Sequence, residues 1–209
     1  PTGTFTSSIN NNTVTLEHVF FQTSILIGIF NEGIVGAASN ATININNNNL
    51  LNFTVFTGGT DIVGISNSSE PIVLNINNNI FRGNFSGAST GGFTAILNTG
   101  TILSTLNINN NKLGDISGNA FTFSGATSGA IKGISCPVTG DDLLLSISGN
   151  NFQGFVQNTV GSGDHNYISY VHAPTFATTV NINSNSFTNL TANTDGNVTF
   201  ISRSGVMAL

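Results

Sequence analysis

One short segment recurs five times along the chain, and it constrains the fold more than any other feature. Each copy reads apolar, polar, apolar, polar, then a turn residue and an Asn, at residues 43–48, 74–79, 106–111, 145–150 and 180–185. A large apolar residue follows two positions after each final Asn, at Leu50, Phe81, Leu113, Phe152 and Phe187. A chain built from such repeats stacks copies of one unit. We expect a weaker first copy at Val14-Thr15-Leu16, ending near Phe21.

A second apolar segment follows each copy, at residues 26–29, 62–65, 93–96, 131–134, 168–171 and 198–201. Five intervals separate Gly28 from Phe200, so the period is about 34 residues. Because the segments are constant while their spacing varies, we expect loops of different length on a constant core.

The alternation in the first segment has the period of a half-buried β-strand, not of a helix. Identical strands that each offer one apolar face bury one another only by stacking. The pattern therefore predicts an all-β fold, a parallel β-helix (a β-solenoid) of about six coils. We interpret residues 1–209 as a single domain of this kind and as a fragment of a longer protein. A β-sandwich or β-propeller is the alternative, but neither requires the same outward residue in every repeat.

Stacking of the copies aligns their Asn residues in columns. We expect the last Asn of each copy to adopt left-handed backbone geometry and to stack its amide on its neighbours. This structural ladder comprises Asn48, Asn79, Asn111, Asn150 and Asn185. The candidate outward contact columns are Asn44, Asn75, Asn107 and Asn181, and Asn46, Asn77, Asn109 and Asn183. They form either a hydrogen-bonding surface for glycans or another filament, or a layer of solvated amides.

The chain has only four basic and nine acidic residues among 209, with a net charge of −5. Nucleic-acid binding depends on Lys and Arg at phosphates, so nucleic acid is excluded as a partner. No stretch approaches the roughly 20 apolar residues of a membrane span. Low charge also weakens repulsion between copies, which favours self-association.

Catalysis and metal binding need clustered titratable groups, which the chain hardly supplies. His165 and His172 are expected at the surface, on opposite faces of one strand, so they do not share a metal. Cys136 is the only cysteine and is expected to be a buried small hydrophobe. We therefore predict no catalytic, cofactor-binding or metal-binding residue, and no cofactor.

The Asn-x-Asn-x-Phe pattern, as in Asn77-Asn78-Asn79-Ile80-Phe81, resembles the right-handed parallel β-helix repeats of the pectate-lyase-like superfamily. The Asn-rich, charge-poor sequence around residues 185–191 also resembles large secreted or surface-attached β-helix proteins of gliding Bacteroidota. The resemblance covers nearly the whole chain. It implies an all-β, right-handed parallel β-helix but not one function, since this scaffold carries lyases, hydrolases, adhesins and filaments.

The expected function is structural. We interpret the chain as an extracellular β-helix segment of a secreted cell-surface adhesin or filament, used in attachment or assembly. Its partners would be other copies, flanking modules of the same long protein, or cell-surface glycans. One alternative is a polysaccharide lyase or hydrolase, which needs an acidic groove built from Asp115, Asp141, Asp142 and Asp164. The other is a neutral-glycan-binding module, for which Tyr167 and Tyr170 would have to be exposed.

Overall fold

The computed structural model describes residues 4–18, 25–33, 39–55, 59, 61–114, 121–138, 140, 144–172 and 179–205. Phe21, the expected end of the first copy, lies outside them. The described residues form twenty-one β-strands, which we number along the chain, joined by turns. None of these residues belongs to a helix with the length and apolarity that a bilayer crossing requires.

The strands form three sheets, and the strands that pair within them run parallel. The first sheet contains β1 (Phe5–Ser8), β4 (Ser39–Asn46), β7 (Pro71–Asn77), β10 (Thr105–Asn109), β14 (Leu144–Ser148) and β18 (Val180–Asn181). The third contains β3 (Ile25–Asn31), β6 (Asp61–Asn67), β9 (Phe93–Asn98), β13 (Ile131–Cys136), β17 (His165–Val171) and β21 (Val198–Ser204).

The second sheet lies between these two along the chain. It begins with the strands β2 (Thr13–His18), β5 (Asn49–Val55) and β8 (Ile80–Phe85). In later coils two shorter strands replace each long one: β11 (Lys112–Leu113) and β12 (Phe121–Phe123), β15 (Asn151–Gln153) and β16 (Phe155–Gly161), β19 (Ser186–Thr188) and β20 (Thr191–Thr194). Left-handed residues lie at these breaks, namely Gly114, Gly154 and Asn189.

This topology is a parallel β-solenoid with a period of about 34 residues. The first and third sheets each hold six strands. The chain makes about five turns in passing from the first strand of a sheet to its last. The predicted all-β class, the parallel stacking and the period are confirmed. Successive coils differ in length, since equivalent Asn residues are 36, 31, 32, 39 and 35 positions apart. The strands nevertheless stay in register, because the length differences fall in the turns.

The predicted inward columns are buried. Ile45 pairs with Ile76, Ile76 with Ile108, and Ile108 with Ile147, and all four side chains are fully buried. The second inward column contains Ile43, Leu74, Leu106 and Leu145, and the third contains Leu50, Phe81, Leu113 and Phe152. Aromatic rings stack along the axis where these columns allow it, with centroids 4.9 Å apart between Phe152 and Phe187.

The first copy of the repeat lies earlier in the chain than the pattern indicated. Ser7 pairs with Ile43, and Val14 pairs with Leu50. The first copy is therefore residues 7–12, and Val14 is its following apolar residue. The expected copy beginning at Val14 is wrong, because a Ser in place of Ile or Leu concealed the true start.

The corner between the first and second sheets depends on left-handed residues, but these are not the ladder Asn residues. Six residues, each one position before a ladder position, have φ between +54° and +68°: Asn11, Asn47, Asn78, Asn110, Gly149 and Ser184. Asn and Gly tolerate this conformation, which costs most other residues about 1–2 kcal/mol. The expected left-handed geometry of the final Asn is therefore displaced by one position.

In two facing columns of the core, small residues on one sheet lie opposite large side chains on the other. The third sheet carries Gly64, Ala95 and Gly133 at equivalent inward positions, each skipped by the strand pairing. A Cβ at Gly64 would lie 2.7 Å from Cε1 of Phe81, and one at Gly133 would collide with the ring of Phe152. The small residues therefore make room for the Phe side chains of the second sheet.

This packing predicts that Gly133→Ala destabilises the protein. The added methyl group would meet both the Phe152 ring and the carbonyl oxygen of Tyr167, and overpacking of this kind costs about 1–3 kcal/mol. Ala95→Gly is the matched control, because the same column already accepts a Cβ there, and it should cost only about 0.5–1 kcal/mol. Chemical denaturation measures both; an unchanged free energy of unfolding in Gly133→Ala would contradict the packing argument.

Candidate functional site

The ladder Asn residues use their whole hydrogen-bonding capacity inside the solenoid. Nδ2 of Asn79 donates to Oδ1 of Asn111 at 3.0 Å and to the carbonyl oxygen of Ile45 at 2.8 Å. Oδ1 of Asn79 accepts from the backbone N–H and from Nδ2 of Asn48, at 2.9 and 3.0 Å. The same arrangement recurs along the column, from Asn12 at one end to Asn185 at the other.

This column is a structural element and not a contact surface. Asn48, Asn79, Asn111 and Asn150 are fully buried. A buried amide group left without a hydrogen-bond partner costs about 1–3 kcal/mol. Each coil must therefore place its Asn at the position along the solenoid axis where the amides of the adjacent coils can bind it. The ladder therefore sets the register between coils.

A second ladder of Asn side chains, not predicted from the sequence, lies at the ends of the first strands of the third sheet. Nδ2 of Asn31 donates to Oδ1 of Asn67 at 2.6 Å, and Nδ2 of Asn67 donates to Oδ1 of Asn98 at 2.7 Å. The signal was an Asn two residues after the last apolar residue of the second segment. Cys136 follows at this column, where burial raises the pKa of its thiol to about 12, so it packs as the predicted small hydrophobe.

The outward side of the first sheet is a regular polar surface, which we call the Asn face. One column holds Ser8, Asn44, Asn75, Asn107, Ser146 and Asn181, and the other holds Asn10, Asn46, Asn77, Asn109, Ser148 and Asn183. No member of either column is charged. Neighbouring strands in such a sheet lie about 4.8 Å apart, so the polar groups repeat at that interval along the axis.

The two columns of the Asn face use their amides differently. In the first, Nδ2 of Asn107 donates to Oδ1 of Asn75 at 2.8 Å, and Nδ2 of Asn75 donates to Oδ1 of Asn44 at 2.8 Å. In the second, Oδ1 of Asn77 accepts the backbone N–H of Asn109 at 2.8 Å, and Asn46 does the same for Asn77. The Nδ2 groups of Asn46, Asn77 and Asn109 have no partner within the described residues. They offer a row of N–H donors to whatever contacts this face.

A shallow groove of about 710 Å³ lies where the chain passes from the second sheet to the third. Its lining is dominated by small residues, including Ala88, Thr90, Ala126 and Ser128, and its only charged group is Asp195. The hydroxyl group of Thr127 is already bonded to the carbonyl oxygen of Gly125. The groove contains no aromatic ring on which a sugar could stack.

The acidic groove of the enzyme alternative is not assembled by the described residues. Asp115, Asp141 and Asp142 lie outside them. Oδ1 of Asp164 accepts the backbone N–H of Asn197 at 2.7 Å, which stabilises the turn before the third sheet. Among the described positions, no three His, Cys, Asp or Glu side chains group closely enough to hold a metal ion.

His165 and His172 are buried, so their expected surface placement is wrong. His165 points into the solenoid, where Nε2 is hydrogen-bonded to Oε1 of Gln157. Burial lowers the pKa of His165, and the nearby charge of Asp164 partly opposes that change. His165 is inward because it is in register with the buried Ile131 of the preceding coil.

The two tyrosines do not provide a glycan platform. Tyr167 is 1% exposed and Tyr170 is 8% exposed. Tyr167 occupies the column of Gly133 and packs against Phe152 and Phe155, and burial raises its pKa to about 12. The exposed tyrosine ring that the glycan-binding alternative required is therefore missing at both positions.

Comparison with known proteins identifies no relative: no protein-family model, curated protein or solved structure matches the chain.

The buried ladder predicts a large cost for Asn111→Ala. The substitution removes the acceptor of the backbone N–H and of one Nδ2 hydrogen of Asn79, and the side-chain donor of the carbonyl oxygen of Ile76. Oδ1 of Asn150 keeps the backbone N–H of residue 111. At about 1–3 kcal/mol for each group, the free energy of unfolding should fall by at least about 3 kcal/mol. Asn158→Ala, at an exposed position, is the control and should change it by less than about 0.5 kcal/mol. Equal losses in the two variants would argue against the ladder.

The buried His165 predicts a loss of stability in acid. In the unfolded chain its pKa returns to the ordinary value of 6.5, whereas in the fold it is lower. The unfolded state therefore binds more protons once the pH falls below about 6.5, and the free energy of unfolding decreases there. Denaturation at pH 5 to 8 measures this slope. His165→Asn should reduce the slope; an identical pH dependence in both proteins would show that His165 does not cause it.

Proposed function

We propose that this chain is a structural segment of a secreted, cell-surface β-solenoid protein, an adhesin or extracellular filament, that associates laterally through its Asn face. The observation that carries the proposal is the Asn face itself. It spans all six strands of the first sheet without a charged side chain, and it presents a row of Nδ2 donors that no described residue of the chain binds.

Physical chemistry supports sheet-to-sheet association at such a face. Charged surface side chains keep proteins soluble and oppose association between copies, and the Asn face has none. Here each neighbouring copy would meet amides, which donate and accept hydrogen bonds at the same interval of about 4.8 Å. With a net charge of only −5 over 209 residues, long-range repulsion between copies is weak. Asn ladders also stabilise other stacked β-assemblies.

The extracellular location is part of the proposal. Its support is the resemblance of the Asn-rich, charge-poor repeats to surface β-helix proteins of gliding Bacteroidota. Neutral cell-surface glycans are a further partner that the amide donors of Asn46, Asn77 and Asn109 would suit. The polysaccharide-enzyme alternative depends on Asp115, Asp141 and Asp142, and a polysaccharide cleavage screen tests it.

The test of the lateral contact is the double variant Asn77→Lys, Asn109→Lys. Two ammonium groups on the Asn face would have to be desolvated and brought against the same charges of a second copy, so lateral association should weaken at least about tenfold. Asn84→Lys, Asn158→Lys places the same charges on the second sheet and should associate like the unmodified chain.

Electron microscopy of the full-length product on and around the cells that make it provides the measurement. Regular fibres or appendages that lose their lateral packing only in the Asn-face variant would support the proposal. Isolated particles in the unmodified protein, or equal assembly of both variants, would overturn it. Circular dichroism checks that each variant keeps its β-structure.

A further inference from the structure

The second column of the Asn face, which contains Asn46, Asn77 and Asn109, turns its amides in one direction. Oδ1 of Asn46 lies 2.8 Å from the backbone nitrogen of Asn77, and Oδ1 of Asn77 lies 2.8 Å from that of Asn109. These bonds hold the oxygen atoms against the sheet, while no described residue binds the Nδ2 groups. The column therefore presents a row of N–H donors, which are the positive ends of the amide dipoles.

Asn109 shows this bias most fully. Its Oδ1 accepts the backbone N–H of Ser148 at 2.9 Å and the hydroxyl group of Ser146 at 2.9 Å. An amide oxygen has two lone pairs, so these two bonds use the whole acceptor capacity of Asn109. The group that it offers to a neighbouring molecule is Nδ2.

The first column, which contains Asn44, Asn75 and Asn107, keeps acceptors as well as donors available. Nδ2 of Asn75 donates to Oδ1 of Asn44, and Nδ2 of Asn107 donates to Oδ1 of Asn75, both at 2.8 Å. Each bond uses one of the two amide hydrogens and one of the two lone pairs. Asn75 therefore keeps one donor and one acceptor, and no described residue donates to Oδ1 of Asn107. The first column supplies the acceptors that the second column lacks.

A second copy of the chain has acceptors at the interval of the donor row. Both columns follow the six strands of the first sheet, so their members are about 4.8 Å apart along the solenoid axis. The columns are two residues apart on each strand, a distance of about 6.7 Å. The first column of one copy can therefore face the second column of another copy over the whole height of the face.

Contact between two identical faces is isologous, so a two-fold axis relates the two copies. If this axis runs along the strands, the solenoids are antiparallel and each column faces the same column of the other copy. If it runs along the solenoid axis, the solenoids are parallel and the second column of each copy faces the first column of the other. The two orientations therefore differ in which hydrogen-bonding groups meet.

The donor rows favour the parallel orientation. In the antiparallel pair, Nδ2 of Asn77 and Asn109 would meet the donor row of the other copy, and buried donors that face donors are unfavourable. In the parallel pair, Nδ2 of Asn77 lies opposite Asn75 of the other copy, and Nδ2 of Asn109 lies opposite Asn107. Each donor then meets an amide that has an acceptor to offer.

We infer that two copies join through the Asn face as parallel solenoids, related by a two-fold axis that runs along the solenoid axis between the two columns. Asn77 of each copy then faces Asn75 of the other. The inference rests on the proposed lateral association and adds the orientation and the register of the second copy. Since both solenoids point the same way, a fibre built from such pairs has a direction.

A charge-pairing experiment on the full chain tests the register. The variant Asn77→Lys, Asn109→Lys carries a fluorescent label, and sedimentation velocity follows its binding to unlabelled copies over a concentration series. The variant Asn75→Asp, Asn107→Asp should bind it at least about tenfold more tightly than the unmodified chain does, because each introduced ammonium group then faces an introduced carboxylate. The variant Asn77→Asp, Asn109→Asp should bind it several-fold more weakly than this first-column variant, because its carboxylates do not face the ammonium groups.

The matched control is Asn84→Asp, Asn158→Asp, which places the same charges on exposed positions of the second sheet. It should bind the labelled variant about as weakly as the unmodified chain does, which excludes general attraction between opposite charges. Circular dichroism checks that every variant keeps its β-structure. Equal binding of the two Asn-face Asp variants, or tighter binding of the second-column variant, would overturn the parallel register and leave lateral association standing.

Cryo-electron microscopy of the unmodified chain gives a second measurement that needs no substitution. The direction of each solenoid is visible because its coils differ in length, from 31 to 39 residues. Parallel solenoids with their first sheets in contact are the expected result. An antiparallel pair would overturn this inference alone, whereas the absence of any lateral pair would overturn the proposed function as well.

Discussion

A buried Asn amide has two N–H groups and an oxygen to satisfy, and in this solenoid the adjacent coils satisfy them all. Asn79 shows the arrangement completely, with bonds to Asn48 on one side, to Asn111 on the other, and to the carbonyl oxygen of Ile45. Any slip between coils would leave these groups unpaired in an apolar interior. The rest of the architecture depends on this constraint, because it sets the height of every coil.

A fixed register lets the other parts of each coil vary. Coils of 31 to 39 residues stack in one column since the differences are confined to the turns. The core also accepts side chains of very different size at equivalent positions. Gly133 lies against the ring of Phe152, and Tyr167 occupies the equivalent position in the next coil. Buried polar groups such as His165 are accepted when a partner such as Gln157 reaches them.

The same hydrogen-bonding chemistry acts on the outside of the first sheet. The Asn face presents the amide donors of Asn46, Asn77 and Asn109 without a charged side chain in either column. The lateral association that we propose would use these donors, and the chain has few charged groups to oppose it.

The sequence alone determined the fold class, the period and the inward columns, because alternation and repetition are local and survive variable turns. It also located the ladder Asn residues, since they recur in five aligned copies. Only the tertiary structure decided that the left-handed residue precedes each of them, that the first copy starts at Ser7, and that Asn31, Asn67 and Asn98 form a second ladder. It also decided that His165 and Tyr167 face the interior. Those features depend on which residues of the adjacent coils contact each position. These contacts determine whether a side chain is buried and which group it binds, and the sequence of one coil does not contain them.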